Sequence, residues 1–179
     1  MAIYNKEDAK AIMAKALEYS KADGCEVNLS GFDSGNIRYA RNTVSTAGAQ
    51  SNQTLVVQSN FGKKVGTATI EEFDDASIEK VVRRAEELAT LSPESEEFME
   101  PLGPQKIVES NQHFKSTSKI SPEYRAAVAA ASIEPAKAKD VTAAGFFEDY
   151  ANFSAISNSN GLFAYELSLI HISEPTRPY

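Results

Sequence analysis

Residues that bind metals or form disulfides are scarce in this sequence. Its 179 residues include one cysteine, Cys25, two histidines, His113 and His171, and no tryptophan. A lone cysteine excludes an intramolecular disulfide framework and is typical of a reducing compartment. So few nitrogen and sulfur ligands cannot form a zinc site of the usual kinds. Because the H-E-x-x-H, Walker A, G-x-G-x-x-G and G-x-S-x-G motifs are also missing, we assign no catalytic residue and no metal ligand.

Long apolar runs are absent as well. No stretch of about 18 consecutive apolar residues occurs, so no membrane span is expected. Residues 1–17 contain acidic side chains and lack the apolar core of a secretory signal. These features predict a cytoplasmic protein without a membrane partner. The net charge of −7 argues against direct nucleic-acid binding, which needs clustered Lys and Arg.

Acidic residues are missing from one long stretch, residues 34–70. The charged residues there are Arg38, Arg41, Lys63 and Lys64, whereas residues 71–100 carry eleven acids and three bases. We interpret the acidic block as a solvated helix face and a polar loop. The acid-free stretch contains most of the strand-like sequence in the first half of the chain.

Three helices are predicted from apolar periodicity, caps and breakers. The first is expected to begin at the cap Asn5 and to end at Gly24, and the second follows the acidic turn at 73–75. The third begins at Ser121-Pro122 and ends or kinks at Pro135. Its predicted buried face consists of Tyr124, Ala127, Val128 and Ala131.

Alternating apolar residues predict the strands. Residues 25–31 and 36–40 are expected to form a hairpin around the turn Asp33-Ser34-Gly35. Residues 44–50 are predicted as either an edge strand or a loop. Residues 54–58 and 64–70 are expected to flank a second turn, and Gly66 predicts a bulge or a close backbone approach.

The pattern as a whole predicts an α+β fold, with a mostly antiparallel sheet packed by two or three helices. Residues 1–139 are expected to form this N-terminal domain, with a long connection over 92–120. Residues 140–166 are predicted to start a second, truncated β-rich domain with its own sheet. Residues 167–179 break the alternation, and we interpret them as a non-native tail, so the natural protein is expected to continue.

The candidate contact site lies within the acid-free stretch and consists of Arg38, Tyr39, Arg41 and Asn42. Arginine pairs a carboxylate bidentately, and asparagine can hydrogen-bond both sides of a peptide group. These side chains would suit an extended peptide, a terminal carboxylate or a subunit contact. The alternative is an ordinary sheet surface whose arginines pair with acids of residues 71–100.

Six segments together resemble the N-terminal part of the TldD/PmbA family, over roughly residues 5–165. Their order and spacing carry the resemblance, since no single motif is specific. The segments are ADGCEV at 22–27, NIRYARNTVS at 36–45, LVV at 55–57 followed by Gly62, GTAT at 66–69, RAEELA at 84–89 and SNSNG at 157–161.

The resemblance implies a cytosolic protein of the metallopeptidase type that processes peptides or unfolded polypeptides. It also implies a homodimer or a heterodimer with a family member, and a link to modulation of DNA gyrase. One family branch binds zinc through an H-E-x-x-x-H motif in a C-terminal half that is missing here, so no cofactor is expected in this chain. The alternative is a non-catalytic partner subunit or a peptide- or protein-binding module.

Overall fold

The computed structural model describes residues 3–108 and 116–176. Within these residues, five strands form one antiparallel sheet in the order β3-β2-β1-β4-β5. Three α-helices accompany the sheet, and the predicted α+β class is confirmed. The elements in chain order are α1 (Lys6–Tyr19), β1 (Gly24–Ala40), β2 (Thr43–Phe61), β3 (Lys64–Ile70), α2 (Asp75–Leu91), a short 3₁₀ turn (Thr117–Lys119), α3 (Pro122–Ala138), β4 (Ala144–Asn158) and β5 (Phe163–Thr176).

The first hairpin turns later than the sequence suggested. The prediction of a turn at Asp33-Ser34-Gly35 is wrong, because β1 continues through these residues and pairs with β2 on one side and β4 on the other. The turn is Arg41-Asn42, where both residues have positive φ, 52° and 61°. Two central residues with positive φ give the type I′ geometry that matches the twist of the flanking strands.

Strand β2 is a single strand that includes both segments predicted separately. A register shift opposite Arg38 and Tyr39 leaves Ser45 as an extra residue, which is a β-bulge. The second hairpin turns at Gly62-Lys63, as predicted, with Gly62 at φ 55°. Because β3 pairs only with residues 55–61, the outer edge of β2 before residue 55 has no strand beside it among the described residues.

The three helices cover one face of the sheet. Cys25, Val27 and Leu29 of β1 pack with α1 and α2 in the main core. Ile37 and Tyr39, which lie on the same face because strand side chains alternate, pack with α3 in a second apolar cluster. We call the opposite surface of the sheet the open face.

Helix α1 begins as predicted and ends earlier than predicted. The Asn5 side chain accepts a hydrogen bond from the Asp8 N–H at 2.8 Å, which is an N-cap. Gly24 does not end the helix, because Ser20 already caps it and Gly24 is the first residue of β1. The chain leaves the helix where the Lys21 N–H donates to the Glu86 carboxylate of α2 at 2.5 Å.

Helix α3 packs through a different face from the predicted one. Tyr124 is 54% exposed, and the buried residues are Arg125, Ala129, Ile133 and Ala136. Arg125 faces the sheet because its guanidinium pairs with the Asp149 carboxylate of β4 at 2.5 Å. The helix does not end at Pro135 and continues to Ala138.

The second sheet predicted from about residue 140 does not form. Strand β4 pairs with β1 from Glu26↔Asn158 to Tyr39↔Gly145, so residues 144–176 extend the first sheet. The reason is that β1 is 17 residues long and has a free second edge for β4. The backbone of residues 167–176 lies in β5, and the non-native origin of the tail stays a prediction.

The long connection after α2 is held at the turn between β4 and β5. Asn160 donates a hydrogen bond to the Pro101 carbonyl at 2.7 Å, and Asn158 donates to the Leu102 carbonyl at 2.9 Å. Part of the predicted connection, residues 109–115 with His113, lies outside the described residues. None of the helices in the described part of the chain has the length and apolarity needed to cross a membrane.

Candidate functional site

The two candidate arginines lie at the tip of the β1–β2 hairpin. Arg38 and Arg41 are both exposed, and neither forms an ion pair with an acid whose side chain the structure describes, in residues 3–108, 116–117 and 119–168. The alternative interpretation, in which they pair with acids of residues 71–100, therefore finds no support in the described contacts. Two unpaired guanidinium groups remain available to an external carboxylate.

The other two candidate residues make internal contacts. Tyr39 is 6% exposed and packs against α3 and β4. The Asn42 side chain binds the chain's own backbone, since its Nδ2 donates to the Val141 carbonyl at 2.8 Å and its Oδ1 accepts from the Ala143 N–H at 2.6 Å. Asn42 thus fastens the hairpin to the start of β4, using both sides of its amide.

The outer edge of β2 before residue 55 has no strand partner in the part of the chain that the structure describes, and the direction of its backbone groups follows from β1. The Cys25 carbonyl accepts from the Ser159 N–H at 2.8 Å, so the backbone groups of Cys25 face β4. Because backbone direction alternates along a strand, the even-numbered residues of β1 face β2 and bond its even-numbered residues. The N–H and C=O groups of Ala47, Ala49 and Ser51 in β2 therefore face outwards.

A side-chain contact at Gln53 agrees with this direction. The Gln53 N–H donates to the side-chain oxygen of Asn52 at 2.8 Å and so does not bond to β1. Asn52 in turn donates to the Glu71 carboxylate at 3.3 Å. The edge thus runs from the basic hairpin tip to an acidic end at Glu71 and Glu72.

The open face of the sheet carries a stacked aromatic pair. Phe32 and Tyr150 stack with ring centroids 5.5 Å apart and planes inclined by 23°. They line a shallow depression of about 350 Å³ together with Ser30, Asn52 and Asn152. Its hydroxyl and amide groups can donate and accept hydrogen bonds and carry no charge.

Cys25 is not placed as a nucleophile. Its side chain is 1% exposed, in the main core. Burial raises the pKa of the Cys25 thiol above its ordinary value, which keeps the thiol protonated. Since the thiolate is the reactive form, the structure agrees with the predicted role of a small buried apolar residue.

The described residues do not fit a zinc ion. Among the side chains that the structure describes, in residues 3–108, 116–117 and 119–168, no group of three or more His, Cys, Asp or Glu is placed to hold a metal. Structural and catalytic zinc sites need three or four such ligands. We therefore derive no chemical step through zinc from these residues.

The fold is shared with part of three longer proteins of known structure. TldE from Thermococcus kodakarensis has 16% sequence identity and a TM-score of 0.77, with 93% of this chain and 39% of that chain covered. A candidate modulator of DNA gyrase from Thermotoga maritima has 14% identity and a TM-score of 0.77, with 91% and 38% covered. One from Bacteroides thetaiotaomicron has 16% identity and a TM-score of 0.74, with 93% and 39% covered.

Residues 25–89 match the family model described as PmbA/TldA metallopeptidase domain 1. Comparison with curated protein sequences gives no match. This match and the shared fold support the resemblance to the N-terminal part of the TldD/PmbA family. It spans less than two fifths of the length of the similar solved structures.

The sequence interpretation did not identify the free edge of β2. The sequence does contain a feature that favours such an edge, since residues 44–53 (VSTAGAQSNQ) include no charged residue, no proline and no large aromatic residue. The sequence alone predicts either an edge strand or a loop for this segment. The structure shows that it is a strand, and that the candidate arginines lie at one end of it.

Proposed function

We propose that this chain is the N-terminal part of a TldD/PmbA-like cytosolic metallopeptidase that processes peptides or unfolded polypeptides. The observation that carries the proposal is the match of residues 25–89 to the first metallopeptidase domain of that family. The proposal includes assembly as a homodimer or as a heterodimer with a family member. The zinc ion of such a peptidase would be held by residues other than those described here.

Peptide binding is the part of this function that we assign to the chain. Arg38 and Arg41 support it, since both are exposed and unpaired within the described structure and can bind a carboxylate. The neighbouring strand has no acidic residue that would repel a peptide's terminal carboxylate. Tyr39 and Asn42 would support the site indirectly, because they fix the hairpin to α3 and β4.

The alternative is a non-catalytic partner subunit, or a peptide-binding module, of the same dimeric assembly. It uses the same exposed arginines and needs no metal. The two candidates predict the same binding behaviour for this chain and differ in whether the assembled protein cleaves what it binds.

The test uses the protein encoded by the uninterrupted reading frame and an unstructured fluorogenic peptide. Cleavage that a chelator abolishes and added Zn²⁺ restores supports the peptidase. Binding without cleavage supports the partner subunit. If the protein neither binds nor cleaves unstructured peptides, both proposals are overturned.

The contribution of the hairpin tip is tested by the double substitution Arg38→Ala with Arg41→Ala. We expect peptide binding to weaken about tenfold, because each charge-assisted pair contributes up to about 1 kcal/mol at an exposed site. The matched control is Lys63→Ala with Lys64→Ala, which removes two positive charges at the other hairpin and should leave binding unchanged. Equal effects of the two pairs would show that only overall charge matters.

A further inference from the structure

A cavity of about 570 Å³ lies at the end of the sheet opposite the β1–β2 hairpin tip. Its walls are the start of β1, the β2–β3 turn, the β4–β5 turn and part of the connection after α2. Its lining includes the side chains of Asp23, Asn60, Lys63, Phe98, Glu100 and Asn160. Small-molecule sites in proteins usually measure about 300–1,000 Å³, so the cavity has the size of such a site.

The wall formed by the connection is anchored on both sides of the cavity. The Ser95 N–H donates to the Lys63 carbonyl at 3.0 Å, and the Asn160 side chain donates to the Pro101 carbonyl at 2.7 Å. Residues 96–100 therefore cross from one hairpin turn to the other and close the cavity on that side. Because both anchors are hydrogen bonds within the described chain, the cavity is a built part of the fold.

Two opposite charges line the cavity side by side without pairing. The Asp23 carboxylate accepts the Gly62 N–H at 2.8 Å, and Lys63 is the next residue of that turn. Neither Asp23 nor Lys63 forms an ion pair with any side chain that the structure describes. A carboxylate and an ammonium group in this position can each bind the opposite charge of one zwitterionic ligand.

Asn60 adds a hydrogen-bond acceptor on a residue that is nine-tenths buried. It is 9% exposed, and its Nδ2 donates to the Gly62 carbonyl at 3.0 Å. Its Oδ1 accepts no hydrogen bond from a described residue and is not sealed from solvent, so it is open to the cavity. Gly24 leaves room for this amide, since a Cβ there would lie 2.3 Å from the Oδ1. A ligand N–H can bond this free oxygen.

We propose that the cavity binds a free α-amino acid with an apolar side chain. The α-ammonium group donates to the Asp23 carboxylate and to the Asn60 Oδ1, and Glu100 supplies a second carboxylate. Lys63 binds the α-carboxylate. The ring of Phe98 packs against the apolar side chain. The positive charge of Lys63 in the same cavity opposes a bare metal ion.

The spacing of the charges favours a single amino acid over a peptide. The Asp23 carboxylate is bonded to Gly62, the residue before Lys63, and an α-amino acid carries its two charges on one carbon atom. A peptide carries them at opposite ends. The cavity is also remote from the hairpin tip, because β1 has 17 residues between the two, about 50 Å at roughly 3.3 Å per residue. The two sites can therefore be tested independently.

The test is a nuclear magnetic resonance titration of the full chain with L-leucine, followed at the backbone amides of Gly62, Lys63 and Asn160. We expect these amides to shift along one common, saturable binding curve. Lys63→Gln should weaken binding about fivefold, the upper range for an ion pair at an exposed site. The matched control is Lys64→Gln, which removes the same charge from a residue outside the cavity lining and should leave binding unchanged.

Modified ligands assign each charge without changing the protein. Leucinamide lacks the carboxylate and N-acetyl-leucine lacks the ammonium group, and each should bind at least about fivefold more weakly than leucine. Lys63→Gln should not weaken leucinamide further. Asp23→Asn keeps an acceptor for the Gly62 N–H, so it should weaken leucine and leave N-acetyl-leucine unchanged. Glycine should bind about tenfold more weakly than leucine, and Phe98→Ala should reduce that difference.

Four results would overturn the site. Leucine that shifts none of the three amides removes it, and so does equal weakening by Lys63→Gln and Lys64→Gln. Leucinamide that binds as tightly as leucine removes the role of Lys63 and with it the zwitterionic ligand. A dipeptide that binds as tightly as leucine removes the assignment to a single amino acid. None of these results bears on peptide binding at the hairpin tip.

Discussion

Gly66 is the position where a single methyl group should damage the fold most. A Cβ at this residue of β3 would lie 2.2 Å from the Ala89 nitrogen and 2.3 Å from the Ala85 carbonyl oxygen of α2. Both are backbone atoms and cannot rotate away. Because non-bonded carbon atoms prefer separations of about 3.5–4.0 Å, α2 would have to move away from the sheet by roughly 1 Å.

The cost of Gly66→Ala follows from what α2 buries. The helix packs its apolar face on the sheet through Ile78, Val81, Val82, Ala85 and Ala89, so a shift loosens the whole contact. Overpacking of a core costs about 1–3 kcal/mol, and a clash with backbone belongs at the upper end. Alanine also lowers the conformational entropy of the unfolded chain, which raises the free energy of unfolding by about 0.4–1 kcal/mol. We expect a net loss of about 2 kcal/mol.

Urea unfolding followed by circular dichroism measures this loss, with Gly48→Ala as the matched control. A Cβ at Gly48 in β2 would meet nothing closer than the Asn36 side-chain oxygen at 3.8 Å, so the control should keep or slightly raise the free energy of unfolding. The slope of the free energy of unfolding against urea concentration should not change, since the fold is retained. A stability of Gly66→Ala within about 0.5 kcal/mol of the original chain would refute this reasoning.

Three further predictions concern single contacts. Arg125→Met should lower the free energy of unfolding by about 3 kcal/mol, because the partly buried Asp149 carboxylate loses its partner. The added substitution Asp149→Leu should restore most of the lost stability. If it restores none, the ion pair between the two side chains does not explain the loss. Asn42→Ala should cost about 2 kcal/mol in the same urea assay, since two hydrogen bonds to backbone are lost; a neutral result would contradict the contact. Because burial raises the pKa of Cys25 above the ordinary 9.0, the stability that its buried thiol supplies is complete below pH 9 and falls as pH rises above it; Cys25→Ala should make this fall less steep, and an unchanged slope would contradict the burial.

The sequence correctly predicted features that depend only on residues close together along the chain. Asn5 was predicted to cap α1, and its side chain accepts a hydrogen bond from the Asp8 N–H three positions later. Gly66 was predicted to mark a bulge or a close backbone approach, and the structure shows the close approach. Such features need no knowledge of how distant segments meet.

The errors arose where distant pairing overrides local preference. Asp33-Ser34-Gly35 has turn residues, yet both neighbouring strands hold it extended. Pro135 remains within α3, and Arg125 replaces Tyr124 as a buried residue because Asp149 of β4 lies opposite it. The position of β4 beside β1, which removes the expected second sheet, depends on a pairing across more than one hundred residues.

Some features of the candidate site are visible in the sequence. The acid-free stretch and its arginines are sequence features, and both arginines are exposed. The sequence could not show that Asn42 would bind the backbone at Val141 and Ala143, or that β3 would end too early to cover the start of β2. Both depend on the lengths of strands that only the folded sheet defines.

Peptide binding at the β1–β2 hairpin tip is the central claim, and calorimetric titration of the full chain with an unstructured peptide tests it most directly. The account predicts that Arg38→Ala with Arg41→Ala weakens binding about tenfold, because each charge-assisted pair contributes up to about 1 kcal/mol at an exposed site. The control Lys63→Ala with Lys64→Ala should leave binding unchanged. Peptide binding that the arginine substitutions leave unchanged would contradict the claim.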